Sequence, residues 1–355
     1  MTEIMGRVNE AESMGASIEL CRYAEQMRRQ EVLTTSDFSF MADLVDRGVK
    51  QGYLNEAVPI TYDRLGWRRD AQDFRPSRLY DINAARIIPR VAEKGEYLPI
   101  DPELADYEFQ VYKYGCQWDL SWEAWLTDQR DLSLLADYPA SWGLSARYTR
   151  EYLFTQAYAA NSTLFTVGQG NLIHDALTAS GEGLATAITA IRNFTDPSGN
   201  VTVYTGPLLL VVPPALEWTA NRLVKSATTQ GMSLMNLVAG GDTNVADNNP
   251  MFGAATVVVN PFLPVLDTTN GDTAWYLFCA PQLRPAVRYG YLRGYENPEV
   301  WVKDSDARAM MNSSDDPFAG SFATDDIAFK LRFTFGTGLV DWRGALMSDG
   351  TGTDD

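Results

Sequence analysis

The clearest periodic signal in the chain is an alternation. Ile327, Phe329, Leu331, Phe333 and Phe335 are separated by Ala328, Lys330, Arg332 and Thr334, a period of two that predicts a strand with one apolar face. A second alternation sets Tyr107, Phe109 and Val111 against Glu108 and Gln110. Short apolar runs at residues 208–212, 256–259 and 275–278 predict buried strands. Residues 286–295 and 299–303 read as a strand pair turning around Asn297-Pro298. Helical spacing shows elsewhere. Phe38, Met41, Leu44, Val45 and Val49 follow the capping run Thr35-Ser36-Asp37, and that helix is expected to end near Gly48–Gly52. A fainter stripe of Ile18, Cys21, Tyr23 and Met27 predicts a helix over 16–30. Residues 131–160 read as a long helix whose buried line is Leu144, Tyr148, Tyr152, Thr155 and Ala159. In it Arg147 and Glu151 are spaced to pair, and Pro139 is expected to kink or restart it. Shorter helices are predicted at 183–194 and 215–226, the second opened by Pro213-Pro214.

Residues 67–120 differ from all of this. They carry two extended stretches joined by a polar, charged tip around Val91–Tyr97, with Pro99 and Pro102 beyond it. Such a segment reads as a long hairpin that projects instead of joining a core. The order is then an N-terminal arm, a projecting hairpin, a long helix, a small α/β region and a return to long strands, an α+β architecture. No internal repeat or low-complexity tract interrupts it.

Composition narrows the function. A chain of 355 residues, 45% hydrophobic and 21% charged, can bury a sizeable core. Aromatics reach 12%, which suits extensive contact surface. The formal charge of -17 argues against general nucleic-acid binding. Against that background Arg64, Arg68, Arg69, Arg75, Arg78, Arg86 and Arg90 crowd one stretch, and residues 349–355 carry only acidic charge. This asymmetry suits a molecule that meets copies of itself. Cys21, Cys116 and Cys279 are far apart and form no CxxC pair, so they read as packed thiols of a reducing compartment. No signal peptide and no apolar run long enough for a bilayer is seen, which predicts a soluble protein without a membrane partner.

Catalytic patterns are missing. The chain has one histidine, His174, which forbids HExxH and multi-histidine sites and reads as a structural or surface residue. There is no GxSxG elbow and no phosphate loop, and Gly168-Gln169-Gly170 and Gly181-Glu182-Gly183 lack the third glycine of a dinucleotide fingerprint. Asp315-Asp316 and Asp325-Asp326 are adjacent pairs, unlike carboxylates placed across a cleft. Residues 242–249 lack the ligand spacing of a calcium loop. No catalytic residue, metal or cofactor is expected.

Several local phrases, in order, resemble those of one family. They are Asp196-Pro197-Ser198-Gly199-Asn200 followed by Leu208-Leu209-Leu210-Val211-Val212-Pro213-Pro214-Ala215-Leu216-Glu217; Trp275-Tyr276-Leu277-Phe278; Tyr291-Leu292-Arg293-Gly294-Tyr295-Glu296-Asn297-Pro298; and Asp326-Ile327-Ala328-Phe329-Lys330 to Phe335-Gly336 with Val340-Asp341-Trp342-Arg343-Gly344. Together with the order of elements, they resemble the major capsid protein of tailed bacteriophages, of the Hong Kong ninety-seven-like fold and its Mu-like relatives. The resemblance covers residues 34–348. It implies an arm over 1–62, an extended hairpin over 63–118, a peripheral domain of 119–175 and 283–336, and an axial domain of 176–282 and 337–355.

What it implies functionally is a structural subunit, not an enzyme. Copies would assemble in the host cytoplasm into hexamers and pentamers of an icosahedral virion shell that encloses double-stranded DNA without sequence-specific binding. Portal, scaffold and decoration proteins would be further partners. Some thirty residues precede Thr34, where the resemblance begins, too few for a built-in scaffolding segment, so the scaffold would be a separate protein or none, with no large processing event. Intersubunit contacts are expected from Arg68, Arg69, Arg75, Arg78, Arg86, Arg90, Glu93, Lys94 and Glu96. Lys94 occupies the stretch where some family members weld neighbours covalently. An ordinary lysine titrates near about 10.4, and flanking Glu93 and Glu96 favour its charged form, so a salt bridge is expected there instead. Two alternatives stand beside this reading: an encapsulin-type cellular shell, separable by genomic neighbours, and an acidic cytosolic hydrolase, which predicts a cluster of titratable groups.

Overall fold

A computed structural model describes residues 35–54, 59–83, 90–91, 103–121, 133–195, 204–226, 228–229, 247–303, 321 and 323–352. The helix expected over 16–30, Cys21, the turn at 196–200 and the hairpin tip with Arg86, Glu93, Lys94 and Glu96 lie outside the described residues. In chain order the helices are α1 (Thr35–Leu54), α2 (Tyr62–Leu65), α3 (Ser133–Tyr158), α4 (Glu182–Asn193), α5 (Glu217–Lys225) and α6 (Leu263–Leu266). The strands are β1 (Trp67–Arg68), β2 (Ser77–Asn83), β3 (Glu103–Phe109), β4 (Tyr112–Ser121), β5 (Leu172–Ile173), β6 (Leu208–Val212), β7 (Thr228–Thr229), β8 (Asp247–Asn248), β9 (Thr256–Val259), β10 (Trp275–Cys279), β11 (Val287–Gly290), β12 (Glu299–Val302), β13 (Asp326–Leu339) and β14 (Ala345–Ser348).

The chain divides into two units. One comprises Met1–Val58, Lys113–Arg147 and Asn297–Phe333; the other comprises Pro59–Tyr112, Tyr148–Glu296 and Thr334–Asp355. In the first, the N-terminal half of β13 pairs antiparallel with β12, from Glu299↔Arg332 to Val302↔Phe329, and β13 also pairs with β4. The alternation of β13 is what builds this core. Ile327, Phe329, Leu331 and Phe333 are buried with Val45 and Val49 of α1, Leu120 of β4, and Trp142 and Ala146 of α3. α1 starts at Thr35 as expected but runs through Gly48 and Gly52 to Leu54. Gly52 does not cap the helix. A Cβ there would fall 1.8 Å from the Ala140 carbonyl oxygen, and one at Gly143 would fall 2.0 Å from that of Val49. The two glycines let α1 and α3 touch backbone to backbone.

In the second unit a five-stranded sheet runs β5-β14-β10-β6-β9. β6–β10 and β10–β14 are antiparallel; β14–β5 and β6–β9 are parallel. Leu208, Leu210, Val212, Trp275, Leu277 and Cys279 point to one face, where they pack on Leu184, Ile188 and Ile191 of α4 and Ala220, Leu223 and Val224 of α5. Tyr276 and Phe278 point the other way, onto Tyr158 at 5.3 and 5.2 Å between ring centroids. Cover on both faces explains why β10 is an unbroken apolar run. A smaller arrangement joins β1 in parallel to β11, and β11 antiparallel to the C-terminal part of β13. The hairpin belongs to this unit: β2 and β3 pair in register from Ser77↔Phe109 to Asn83↔Glu103.

Three expectations are corrected. β11 and β12 do not pair with each other; each pairs with its own stretch of β13, which at fourteen residues outruns the alternation seen in sequence. α3 does not restart at Pro139 but runs through it. Its buried line is Trp142, Ala146, Arg150, Phe154 and Tyr158, whereas Tyr148 and Tyr152 are exposed. Of the expected line Thr155 is buried; both lines have helical spacing, and the spacing alone does not say which faces inward.

Candidate assembly surface

The root of the hairpin is built by the second unit from buried charge outward. Arg150 and Glu151 are fully buried neighbours on α3. The Arg150 Nη2 donates to the Glu296 carbonyl at 2.7 Å, and its guanidinium lies 4.7 Å from the Tyr291 ring centroid. Glu151 does not pair with Arg147, as its spacing suggested. Its carboxylate accepts from the Thr61 backbone N–H at 3.0 Å and from the Thr61 hydroxyl, while the Arg147 Nη1 donates to the Tyr53 carbonyl at 3.2 Å. Burial pushes Glu151 up to about 7, against the pull of the Thr61 hydrogen bonds, and nearby Asp63 adds to the rise. α3 thus holds the segment from which the hairpin departs.

Arg288 of β11 is buried too, with its guanidinium 3.7 Å from the centroid of Phe109, the last residue of β3. Among the described residues no acceptor reaches its Nε or Nη1. Burial, with Arg69 nearby, lowers its pKa to about 10. Two glycines admit the returning chain: a Cβ at Gly290 would meet the Arg69 carbonyl at 2.0 Å, and one at Gly336 would meet that of Gln110 at 2.4 Å. The Gln110 side chain donates to the Phe74 carbonyl at 3.0 Å and closes the root. Sequence reasoning passed over Arg150 and Arg288, and placed Glu151 on the helix flank as a partner of Arg147. The available signal was charge on positions that share a face with Trp142, Phe154 and Tyr158, or that sit inside an apolar strand.

Of the contact candidates, Arg68, Arg69, Arg75, Arg78 and Arg90 are exposed, as is Arg64. Arg68 is tied within the chain to Asp70 at 3.0 Å and packs 5.2 Å from the Tyr291 ring centroid; the Asp70 hydrogen bond raises its pKa against the effect of burial. Arg69 lies over Trp67 at 5.6 Å. In the same stretches Phe74 and Tyr112 are exposed, 45% and 53% accessible, and so are Asp63 and Asp73.

Elsewhere the sequence motifs resolve into packing corners. Asp341 accepts from the Arg343 backbone N–H at 3.0 Å and pairs with the Arg343 and Arg284 side chains at 3.3 and 3.5 Å, and Arg343 Nε donates to the Thr195 carbonyl at 2.7 Å. Gly294 has φ +86, the left-handed turn that its motif requires. Asp326 accepts hydrogen bonds from the Ser321 and Thr324 hydroxyls at the entry to β13; these hold its carboxyl below the usual value. Cys116 is exposed and Cys279 buried, both as free thiols. Among the described residues no group of three or more His, Cys, Asp or Glu is arranged to hold a metal, and no helix is long and apolar enough to cross a membrane.

The model of the family described as phage capsid protein matches residues 106–348. The chain belongs to the phage capsid protein family. It is a phage capsid protein of α+β architecture. Solved structures similar to this capsid protein include the capsid of cyanophage P-SCSP1u, at 13% identity over 83% of this chain and 89% of that one with a TM-score of 0.49. A chain of Mycobacterium phage Patience matches at 11% identity over 92% and 94%, TM-score 0.48. The SrpI encapsulin of Synechococcus elongatus matches at 13% identity over 84% and 89%, TM-score 0.46. No curated protein matches the sequence.

Proposed function

We propose that copies of this chain tile both hexamers and pentamers, and that the hairpin is each subunit's reach onto its neighbour. The observation that supports this most directly is the two-sided root described above. Inward, Arg150, Glu151 and Arg288 are buried; outward, Arg64, Arg69, Arg75 and Arg78 are exposed, as are Phe74 and Tyr112. On a subunit of formal charge -17, those guanidiniums meet carboxylates of neighbouring copies. Such exposed pairs contribute little each, about 0–1 kcal/mol, but they set register and speed encounter. A long hairpin adds contact area by reach, so one fold tolerates the different rotations of hexamer and pentamer. In this reading residues 1–62 are the arm, 63–118 the reaching hairpin, 119–175 with 283–336 the peripheral domain, and 176–282 with 337–355 the axial domain.

The shell encloses double-stranded DNA by confinement, behind a wall too acidic to bind it tightly. Assembly takes place in the host cytoplasm, with scaffold, portal and decoration proteins as further partners. No catalytic step and no cofactor belong to the role. Negative-stain microscopy with sedimentation tests the reading. The wild-type protein is expected to form hollow shells, and an Arg75→Glu, Arg78→Glu double variant is expected to stay folded but unassembled. A compact, monodisperse 39.4 kDa monomer at every salt and protein concentration overturns it.

A further inference from the structure

The one histidine of the chain sits against the segment that follows β14. β5 and β14 are parallel, with Leu172↔Met347 and Ile173↔Ser348. Beyond them the pairing continues through side chains. His174 Nδ1 is 2.6 Å from Asp349 Oδ2, both side chains mostly buried. Asp349 is a hub: its Oδ1 accepts from the backbone N–H and the hydroxyl of Thr351, each at 3.0 Å, and its carbonyl accepts from the Thr273 hydroxyl at 2.9 Å. The Gly352 N–H donates to the His174 carbonyl at 2.6 Å. Between them Gly350 has φ +71, and a Cβ there would fall 2.2 Å from the Thr273 carbonyl oxygen. The segment Asp349–Gly352 is therefore folded back onto His174 by a defined set of contacts.

The charged residues on the surrounding segments are of one sign. Asp175 follows His174, Asp267 and Asp272 precede β10, and Glu182 opens α4, while the basic residue of α4, Arg192, lies in its last turn. Burial works to raise the Asp349 carboxyl, but hydrogen bonds from Thr351 and His174 outweigh it and hold the group below its usual range. A carboxylate kept ionised at hydrogen-bond distance, in an acidic surrounding, favours a proton on the imidazole.

We propose that His174 and Asp349 form a pH-sensitive clasp, in which the imidazolium pins Asp349–Gly352 beside β5 and loss of its proton loosens that segment. The sign follows from linkage. An imidazolium 2.6 Å from an ionised carboxylate is favoured over the neutral ring. The attraction is present while the imidazole is protonated and is lost as pH rises through its midpoint. A neutral imidazole still carries one N–H, so the hydrogen bond survives in weakened form and the segment is released by degrees. Nothing in this depends on the shell: the clasp lies within one chain.

Having a single histidine makes the test direct. Exchange of the imidazole carbon-bound hydrogen, followed by mass spectrometry across pH, reports His174 alone, in shells or in the folded subunit. The expected midpoint lies above that of an unpaired imidazole, about 6.5. Amide exchange of residues 350–352 is then compared between wild type and His174→Gln at equal pH. Wild type should be about tenfold better protected at pH 6 and nearly equal to the variant at pH 9, and His174→Lys should keep protection at both. A midpoint at or below 6.5, or a protection ratio that does not change with pH, overturns the proposal. If the glutamine variant does not fold, the wild-type midpoint decides by itself.

Discussion

Glu151 is a residue whose environment works against its charge. It is fully buried, and its carboxylate is held by the N–H and hydroxyl of Thr61 and by the backbone N–H of Tyr62. A rise from the ordinary 4.5 to about 7 corresponds to roughly 3 kcal/mol between its protonation states. The native state holds this proton where the unfolded chain has released it, so stability falls as pH rises from about 4.5 to 7 and is flat above. Denaturant unfolding should therefore show wild type gaining stability on mild acidification from pH 8 to 5, and Glu151→Gln should remove most of that gain. An unchanged slope in the variant would place the titration elsewhere. The same residue shows where sequence reading stops. Spacing of four made Arg147 a natural partner, yet Arg147 donates to the Tyr53 carbonyl, because a buried group takes whatever acceptor its packing provides.

At the scale of elements, the approach of α1 to α3 is set by glycines. Gly52 against Ala140 and Gly143 against Val49 leave no room for a Cβ, and the atoms met are backbone, which cannot rotate away. Gly143→Ala should therefore destabilise the protein by about 1–3 kcal/mol through overpacking, although alanine is the better helix former by about 1 kcal/mol. Calorimetry checks the sign: a higher melting temperature would mean that the helices part easily. In sequence these glycines read as a helix end, since glycine at the end of an apolar stripe is ordinarily a cap. β13 shows the opposite case. Its alternation from Ile327 to Phe335 was legible because one face meets α1, β4 and α3 side chains while Lys330 and Arg332 stay outside. Its extension to Leu339 was not, because Gly336, Thr337 and Gly338 carry no pattern and are ordered by pairing with β11.

At the scale of the whole molecule, Lys94 carries a prediction about how neighbouring subunits join. Glu93 and Glu96 beside Lys94 favour the ammonium form, which is a poor nucleophile, so Lys94 should contribute a salt bridge between copies and no covalent bond. Assembled shells boiled in denaturing detergent should then give one band at 39.4 kDa. A ladder of multimers that disappears with Lys94→Ala would establish a covalent weld instead. Salt bridges of this kind suit a shell whose subunits must find several slightly different settings before the contacts close.

The amino-acid sequence by itself determined the kinds of element and their order. Period-two alternation, apolar runs bounded by Pro, Gly and Asn, and a capped helical stripe are local properties, and local sterics and solvation are enough to express them. It also contained the family phrases, whose structural roles are tight corners such as Asp341 with Arg343 and the left-handed Gly294. Tertiary structure decided everything that depends on a distant partner. It chose which of two helically spaced lines on α3 is buried, leaving Tyr148 and Tyr152 outside. It sent β11 and β12 to different stretches of β13, and it placed Arg150, Glu151 and Arg288 beneath the hairpin and His174 against Asp349. These outcomes depend on close packing between residues far apart in the chain, and periodicity carries no record of what a face will meet.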